Sequence, residues 1–126
     1  MNENEISKII LDNAIYVHKK LGPGLLESTY DECLAHKLRE NGLLVEQQVA
    51  VPVEFEGVKL NVGYRIDQRI NKKVIVEIKA IEALNDIHVA QVLTYLKWSG
   101  CKLGLLLNFN NVLLKHGIKR IINGTL

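Results

Sequence analysis

The chain has 126 residues, of which 48% are hydrophobic and 24% charged, and its formal net charge is +2. This length predicts one domain over residues 1–126, large enough to fold without a disulfide or a metal ion. The weak positive charge, with no run of basic residues, excludes a strongly basic protein and only permits a nucleic-acid partner.

The predicted elements, in chain order, are helices over 4–20 and 25–41, strands over 44–55, 58–70 and 74–80, a helix over 85–99 and a strand over 101–109. Helical spacing of apolar residues indicates the first helix, which Gly22-Pro23-Gly24 ends. Pro52 predicts an irregularity in the first strand. Asn85 or Asp86 is the expected N-cap of the third helix. The tail after Phe109 is predicted as a short strand or a helical turn, and the pattern does not decide between them.

This order of elements predicts the fold class. A hairpin-linked set of strands, followed by a crossover helix and a strand that is apolar throughout, is typical of an α/β (α+β-like) protein. We therefore expect a mixed central sheet that contains an antiparallel three-stranded meander and is flanked by helices.

Several features bear on the cellular compartment. The N-terminal MNENEISKII is polar and acidic, unlike a secretory signal, and the longest apolar runs, such as 104–107, are too short to span a bilayer. Cys33 and Cys101 lack metal-ligand spacing and are interpreted as reduced, buried thiols. We expect a cytoplasmic protein with no membrane partner.

The strand VIVEIKA, residues 74–80, raises the main chemical question, because Glu77 and Lys79 interrupt an apolar run. A hairpin apex at Lys72 places Asp67 directly across from Glu77, on the same side of the sheet. Two facing carboxylates need a proton, a neighbouring cation or a bound metal. Mg²⁺ and Mn²⁺ prefer such oxygen ligands, and a nearby lysine can position water or stabilise developing charge.

The same residues have a purely structural interpretation. Residues 65, 67 and 69 alternate with Ile66 and Ile70, so the charged positions fit a solvated strand face. On that interpretation Arg65, Arg69 and Lys79 are counter-charges for the acidic pair, since charged cross-strand pairs are common in sheets. The residues alone leave both interpretations open.

The pattern Asp67…Glu77-Ile78-Lys79 resembles the D…(D/E)xK signature of the PD-(D/E)XK nuclease superfamily. The segment from Gly24 to Tyr30, GLLESTY, resembles the motif of the GxxExxY protein family, a prokaryotic branch of that superfamily. The surrounding HKKLGPGLLESTYDECLAHKL, GYRIDQRI, VIVEIKAI and HVAQVLTYLK are also similar to that family, so the resemblance covers nearly the whole chain.

The resemblance implies roles for individual residues. Asp67 and Glu77 would bind Mg²⁺ or Mn²⁺ with the backbone carbonyl of Ile78, and Glu27 would add a further carboxylate. Lys79 would be the catalytic lysine. Gln91 would be the polar residue that many superfamily members carry on the helix after the (D/E)xK strand.

The helix over 85–99 presents His88, Gln91 and Tyr95 on one face. For His88 and Tyr95 the favoured interpretation is that they lie on a solvated face. For Gln91 it is a position near the metal. Tyr30 is interpreted as a half-buried core residue whose hydroxyl finds one partner.

Two functions remain open from the sequence. The first is a metal-dependent nuclease that hydrolyses phosphodiester bonds of DNA or RNA. The second is a non-catalytic module that binds nucleic acid or a protein partner on the same fold. A chain of this size leaves little surface for a long duplex, so a homodimer or an accessory protein is an expected partner besides nucleic acid.

Overall fold

The computed structural model describes residues 1–126. The elements are α1 Glu3–Leu21, α2 Glu27–Glu40, β1 Val45–Ala50, β2 Val53–Phe55, β3 Val58–Leu60, β4 Arg65–Ile70, β5 Val74–Lys79, α3 Asp86–Ser99, β6 Leu103–Asn108 and β7 Ile118–Ile122. A 3₁₀ turn, Leu114–Gly117, precedes β7, so the tail contains both alternatives that the sequence left open. No helix combines the length and the apolar character that a membrane crossing requires.

Side chains at the helix termini explain where α1 and α3 begin. Asn2 accepts a hydrogen bond from the Glu5 amide at 2.8 Å, and the Glu5 carboxylate accepts one from the Asn2 amide. Asn85 caps α3, and the His88 ring accepts a hydrogen bond from the Asn85 amide at 3.0 Å. These reciprocal pairs satisfy amides that would otherwise lack partners. His88 is therefore a capping residue.

The main sheet has five strands in the order β1-β4-β5-β6-β7. All neighbours are antiparallel except β5 and β6, which α3 connects as a crossover helix. The mixed sheet and the meander of β1, β4 and β5 confirm the predicted fold class. The predicted long strands 44–55 and 58–70 are each divided, however, because β2 and β3 leave the sheet and pair with each other as a separate hairpin.

Helices cover both faces of the sheet. Nineteen buried residues, among them Ile10, Leu34 and Val76, form the core between the sheet and the pair α1 and α2. Nine buried residues, among them Ile75, Leu96 and Leu106, form the core under α3. Every residue of β6 is buried, which confirms the prediction of a strand covered on both sides.

The phase of β4 changes near its middle, which corrects the predicted alternation. Ile66 packs in the core under α3, whereas Ile70 packs in the core under α1 and α2. The regular pairing of β1 with β4 is interrupted between Gln47–Gln68 and Val49–Ile66, where Gln48 has a φ of 53°. The register is the same on both sides of this interruption, so no residue is inserted, yet the side chains beyond it face the opposite side of the sheet. Asp67 lies at this point.

Candidate active site

The predicted pairing of Asp67 with Glu77 agrees with the hairpin register. The regular pairs of β4 and β5 run from Ile70–Val74 to Gln68–Val76, so the next positions along the hairpin are 67 and 77. The turn fits this register because Asn71 and Lys72 both have positive φ, as a tight primed hairpin turn requires.

Asp67 and Glu77 replace the sheet hydrogen bonds where this pairing ends. The Asp67 amide donates to Glu77 Oε2 at 2.7 Å, and the Ile78 amide donates to Asp67 Oδ2 at 2.8 Å. Each carboxyl thus holds the opposite strand through a backbone amide. The acidic pair is fixed by main-chain geometry, which makes it a preorganised group of oxygen atoms.

Burial makes double ionisation of this pair costly. Glu77 is 4% exposed, and its burial, followed by the charge of Asp67, raises the pKa of Glu77 to about 9. Burial also raises the pKa of Asp67, although the hydrogen bond from the Ile78 amide opposes this effect. At neutral pH the pair therefore retains a proton on Glu77 unless a cation compensates the second negative charge.

Lys79 is the cation beside the pair. Its positive charge opposes the rise in pKa that burial and mutual repulsion produce at Glu77 and Asp67. It forms no ion pair, so its ammonium group is not committed to either carboxylate. Arg69, predicted to be a counter-charge, instead binds Glu46 through two hydrogen bonds of 2.9 Å.

Two side chains hold the segment that follows Lys79. Glu27 Oε2 accepts a hydrogen bond from the Ala80 amide at 3.1 Å. Asn108 accepts one from the Ile81 amide and donates one to the Ile81 carbonyl, at 3.1 and 3.0 Å. Asn108 is 1% exposed and was missed in the sequence, where its only signal is a polar residue at the end of an apolar strand.

The residues of the GLLESTY segment connect α1 to this site. Gly24 has a φ of 94°, a conformation that suits glycine. Tyr30 is fully buried and stacks on Phe109 with ring centroids 4.5 Å apart. Its hydroxyl donates to the Gly22 carbonyl at 2.6 Å and accepts from the Leu25 amide at 3.1 Å. Tyr30 therefore fixes the loop from which Glu27 begins α2, and it is more buried and has more partners than predicted.

Replacing Tyr30 with phenylalanine should lower the free energy of unfolding by about 1–2 kcal/mol, because two hydrogen bonds are lost while the ring stack is kept. Urea denaturation measures this change. Tyr16→Phe is the matched control, since Tyr16 is 47% exposed and should cost less than about 0.5 kcal/mol. Equal stabilities of the two variants would contradict the assigned role.

A polar cleft of about 280 Å³ opens between α2 and the acidic pair, lined by Glu27, Ser28, Asp31, Gln48, Asp67 and Ile78. Asp31 is buried and accepts hydrogen bonds from Gln68 Nε2 at 2.8 Å and Gln47 Nε2 at 3.0 Å. The sequence analysis missed Asp31, although it lies one helical turn after Glu27 on the same face of α2. The amides of Gln47 and Gln68 compensate for its burial.

Tyr95 is the residue of α3 that lies next to the acidic pair. Tyr95 is 4% exposed, which makes the predicted solvated face wrong at this position. Burial, followed by the charge of Glu77, raises the pKa of Tyr95 to about 12. Gln91 is half-buried and forms no hydrogen bond, so its place near a metal stays a prediction.

The oxygen atoms of the site fit a hard divalent cation. Asp67 and Glu77 supply two carboxyls, a number that Mg²⁺ and Mn²⁺ accept when water and phosphate oxygens complete the coordination. No group of three or more histidine, cysteine, aspartate or glutamate side chains is gathered for metal binding, so the protein offers no complete cage. Glu27 and the Ile78 carbonyl stay predicted ligands. Cys33 and Cys101 are free thiols.

The family model of the PD-(D/E)XK nuclease superfamily matches residues 4–121, a range that includes α2, the whole meander and all of α1 but its first residue. No curated protein and no solved structure matches the chain at a significant level.

Proposed function

The chain belongs to the PD-(D/E)XK nuclease superfamily, and on that premise we propose that it is a nuclease that hydrolyses phosphodiester bonds of DNA or RNA. The main observation behind this proposal is the pair Asp67 and Glu77, which is hydrogen-bonded across two strands. Lys79 lies beside the pair and forms no ion pair. Nucleases of this superfamily generally use divalent metal ions, and we propose Mg²⁺ or Mn²⁺ here. The GLLESTY segment supports assignment to the GxxExxY branch.

Each residue has a proposed role in the reaction. Asp67 and Glu77 would hold the metal ion together with the Ile78 carbonyl, and Glu77 would give up its proton to serve as a ligand. Glu27 would add a carboxylate from α2. A divalent cation held there would supply polarisation of a phosphate oxygen and a lowered pKa of bound water.

Lys79 and Gln91 act on the reacting groups. The Lys79 ammonium orients the attacking water in line with the scissile bond and stabilises negative charge as it develops on the phosphate. Gln91 donates a hydrogen bond to a phosphate oxygen or to that water.

A binding module without turnover is the second candidate. The two hydrogen bonds that Glu77 and Asp67 accept from the Asp67 and Ile78 amides favour it, because the acidic pair thereby also has a structural use. On this proposal the chain binds nucleic acid or a protein partner through the same fold. Binding that needs no metal ion, without cleavage under any condition, would distinguish it from the nuclease.

Calorimetric titration with Mn²⁺ tests the metal site without knowledge of the substrate. We expect the wild type to bind and to release a proton, since Glu77 is protonated before binding. The measured heat should therefore change between PIPES and Tris, which differ in ionisation enthalpy.

The variant Asp67→Asn should lose this binding, whereas Asp12→Asn should keep it, because Asp12 is an exposed partner of Lys8 on α1. Equal Mn²⁺ affinity of the wild type and Asp67→Asn would contradict the assignment of the site. Circular dichroism checks that both variants are folded.

Further partners are part of the proposal. The chain carries a net charge of only +2 over 126 residues, so a second copy or an accessory protein would supply additional contacts to a long substrate. Sedimentation velocity, with and without an oligonucleotide, measures the stoichiometry. The two free thiols support a cytoplasmic location.

A further inference from the structure

An exposed aromatic residue lies close to the acidic pair. Tyr64 is 42% exposed, and its ring lies against Tyr95 and Trp98 with centroid distances of 6.2 and 5.9 Å. The interplanar angles are 65° and 56°, so its neighbours contact it at steep angles and do not stack on it. We call these three residues the aromatic cluster. It supports the Tyr64 ring from one side and leaves part of the ring open to solvent.

The backbone holds Tyr64 in place. Its carbonyl accepts a hydrogen bond from the Val51 amide and another from Arg65 Nη1, both at 3.0 Å. Gly63, with a φ of 88°, makes the turn from the β2–β3 hairpin into Tyr64. The ring is therefore attached to a fixed main chain at the beginning of β4, and not to a free loop.

The aromatic cluster adjoins the proposed catalytic residues. Tyr64 precedes Asp67 by three residues, and its neighbour Tyr95 packs in the same buried cluster as Ile66 and Ile75, which lie close to the acidic pair along β4 and β5. A group that contacts Tyr64 therefore lies on the α3 side of the sheet, about 10 Å along β4 from Asp67.

The charges around the cluster suit a phosphate backbone. Arg65 follows Tyr64 and Lys97 precedes Trp98; both side chains are exposed, and neither forms an ion pair. The chain has no basic stripe that would follow a long duplex. Proteins that bind single strands combine aromatic side chains, on which bases stack, with cations that contact the phosphate backbone, and Tyr64 beside Arg65 and Lys97 is a small set of this kind.

We infer that Tyr64 stacks on an unpaired nucleobase and that the substrate of the acidic site is a single strand or a single-stranded end. A base within a duplex is already stacked on both sides and has no free face for the Tyr64 ring. The inference rests on the proposed function, since it names the class of nucleic acid that the nuclease would accept.

Binding is measured with wild-type protein in EDTA, so that cleavage does not interfere. The probe is fluorescein-labelled dT12, compared by anisotropy with a blunt duplex of the same length. We expect dT12 to bind more tightly than the duplex and to quench the fluorescence of Trp98, the one tryptophan of the chain. A larger dissociation constant for dT12 than for the duplex would overturn the inference, as would an absence of binding at low salt.

Variants of Tyr64 then test the residue. Tyr64→Ala and Tyr64→Leu should each weaken dT12 binding by about 5- to 150-fold, because both remove the π face. Tyr64→Leu keeps an apolar side chain against Tyr95, which preserves the fold if alanine does not. Tyr64→Phe should bind within about twofold of wild type. Tyr16→Ala is the matched control, an exposed tyrosine on α1 with Lys20 and Lys37 near its ring.

The outcomes separate this inference from the nuclease proposal. Wild-type affinity in a folded Tyr64→Leu variant would overturn the inference, whether or not the protein cleaves nucleic acid in Mn²⁺. Binding that depends on Tyr64, without cleavage in Mn²⁺, would overturn the nuclease proposal and leave Tyr64 as a nucleobase-binding residue.

Discussion

Replacing Lys79 with alanine should lower the rate of phosphodiester cleavage by about 100- to 10,000-fold, the range expected when a positioned proton-transfer or charge-stabilising group is removed. The Lys79 backbone should remain in place, because its carbonyl accepts a hydrogen bond from the Phe109 amide at 2.8 Å whatever side chain it carries. The measurement is single-turnover cleavage of labelled DNA and RNA oligonucleotides, single-stranded and duplex, in Mn²⁺.

Lys102→Ala is the matched control for this loss. Lys102 is an exposed lysine next to β6 at the opposite end of the sheet, because Val74 pairs with Leu103 and Lys79 with Asn108. It should cleave at the wild-type rate. Persistent cleavage by a folded Lys79→Ala protein, purified in parallel, would show that Lys79 is not catalytic. Mn²⁺ binding should survive in Lys79→Ala, since the lysine is not a ligand.

Replacing Glu77 with glutamine should stabilise the protein at pH 8 in the absence of metal ions. The pKa of Glu77 is about 9 in the folded chain against an ordinary value of 4.5, so between these values the folded state retains a proton that the unfolded state has lost. Raising the pH through this window therefore destabilises the wild type, by up to about 1.4 kcal/mol for each pH unit. Glutamine resembles the protonated acid and does not titrate.

Thermal unfolding in EDTA, followed from pH 5 to pH 9, measures this difference. The stability advantage of Glu77→Gln should be small at pH 5 and grow steadily with pH. Added Mn²⁺ should raise the melting temperature of the wild type but not of the variant. A constant difference between the two proteins across this range would contradict the shifted pKa.

Glu46→Gln is a control in which the expected change in stability has the opposite sign, because the pKa of Glu46 is lowered rather than raised. The hydrogen bond from Arg69 lowers the pKa of Glu46, so its ionised form stabilises the folded state above the ordinary pKa of the carboxyl. This stabilisation is lost as the pH falls through the folded-state pKa. The variant should therefore be less stable than wild type at pH 7, and the difference should shrink below pH 4.

The acidic pair illustrates why such a site lowers stability. Burial of Glu77 opposite Asp67 costs free energy that an apolar pair at the same positions would not. The protein keeps two carboxyls at the end of a hairpin whose residues Val74, Val76 and Ile78 pack in the core under α1 and α2. The proposed metal ion or the retained proton offsets this cost, which explains the expected gain in stability when one carboxyl is removed.

The sequence by itself determined most of the fold and the positions of the acidic pair. Helical spacing, the Gly22-Pro23-Gly24 stop and the Asn85 cap are local signals, and they placed the helices to within one or two residues. The β4–β5 register was predictable for the same reason, because a short turn at Lys72 leaves few ways to pair the strands. The match to the superfamily model extends over residues 4–121, which agrees with the D…(D/E)xK pattern found in the sequence.

Only the tertiary structure decided what surrounds that pair. Asp31, Asn108 and Tyr95 reach the site from three separate elements, and no spacing along the chain predicts contacts between distant segments. The change of phase at Gln48 and Asp67 was likewise hidden, because strand alternation assumes an uninterrupted pleat. Burial decides the protonation of Glu77, and burial is a property of the assembled layers rather than of the residue or its neighbours in sequence.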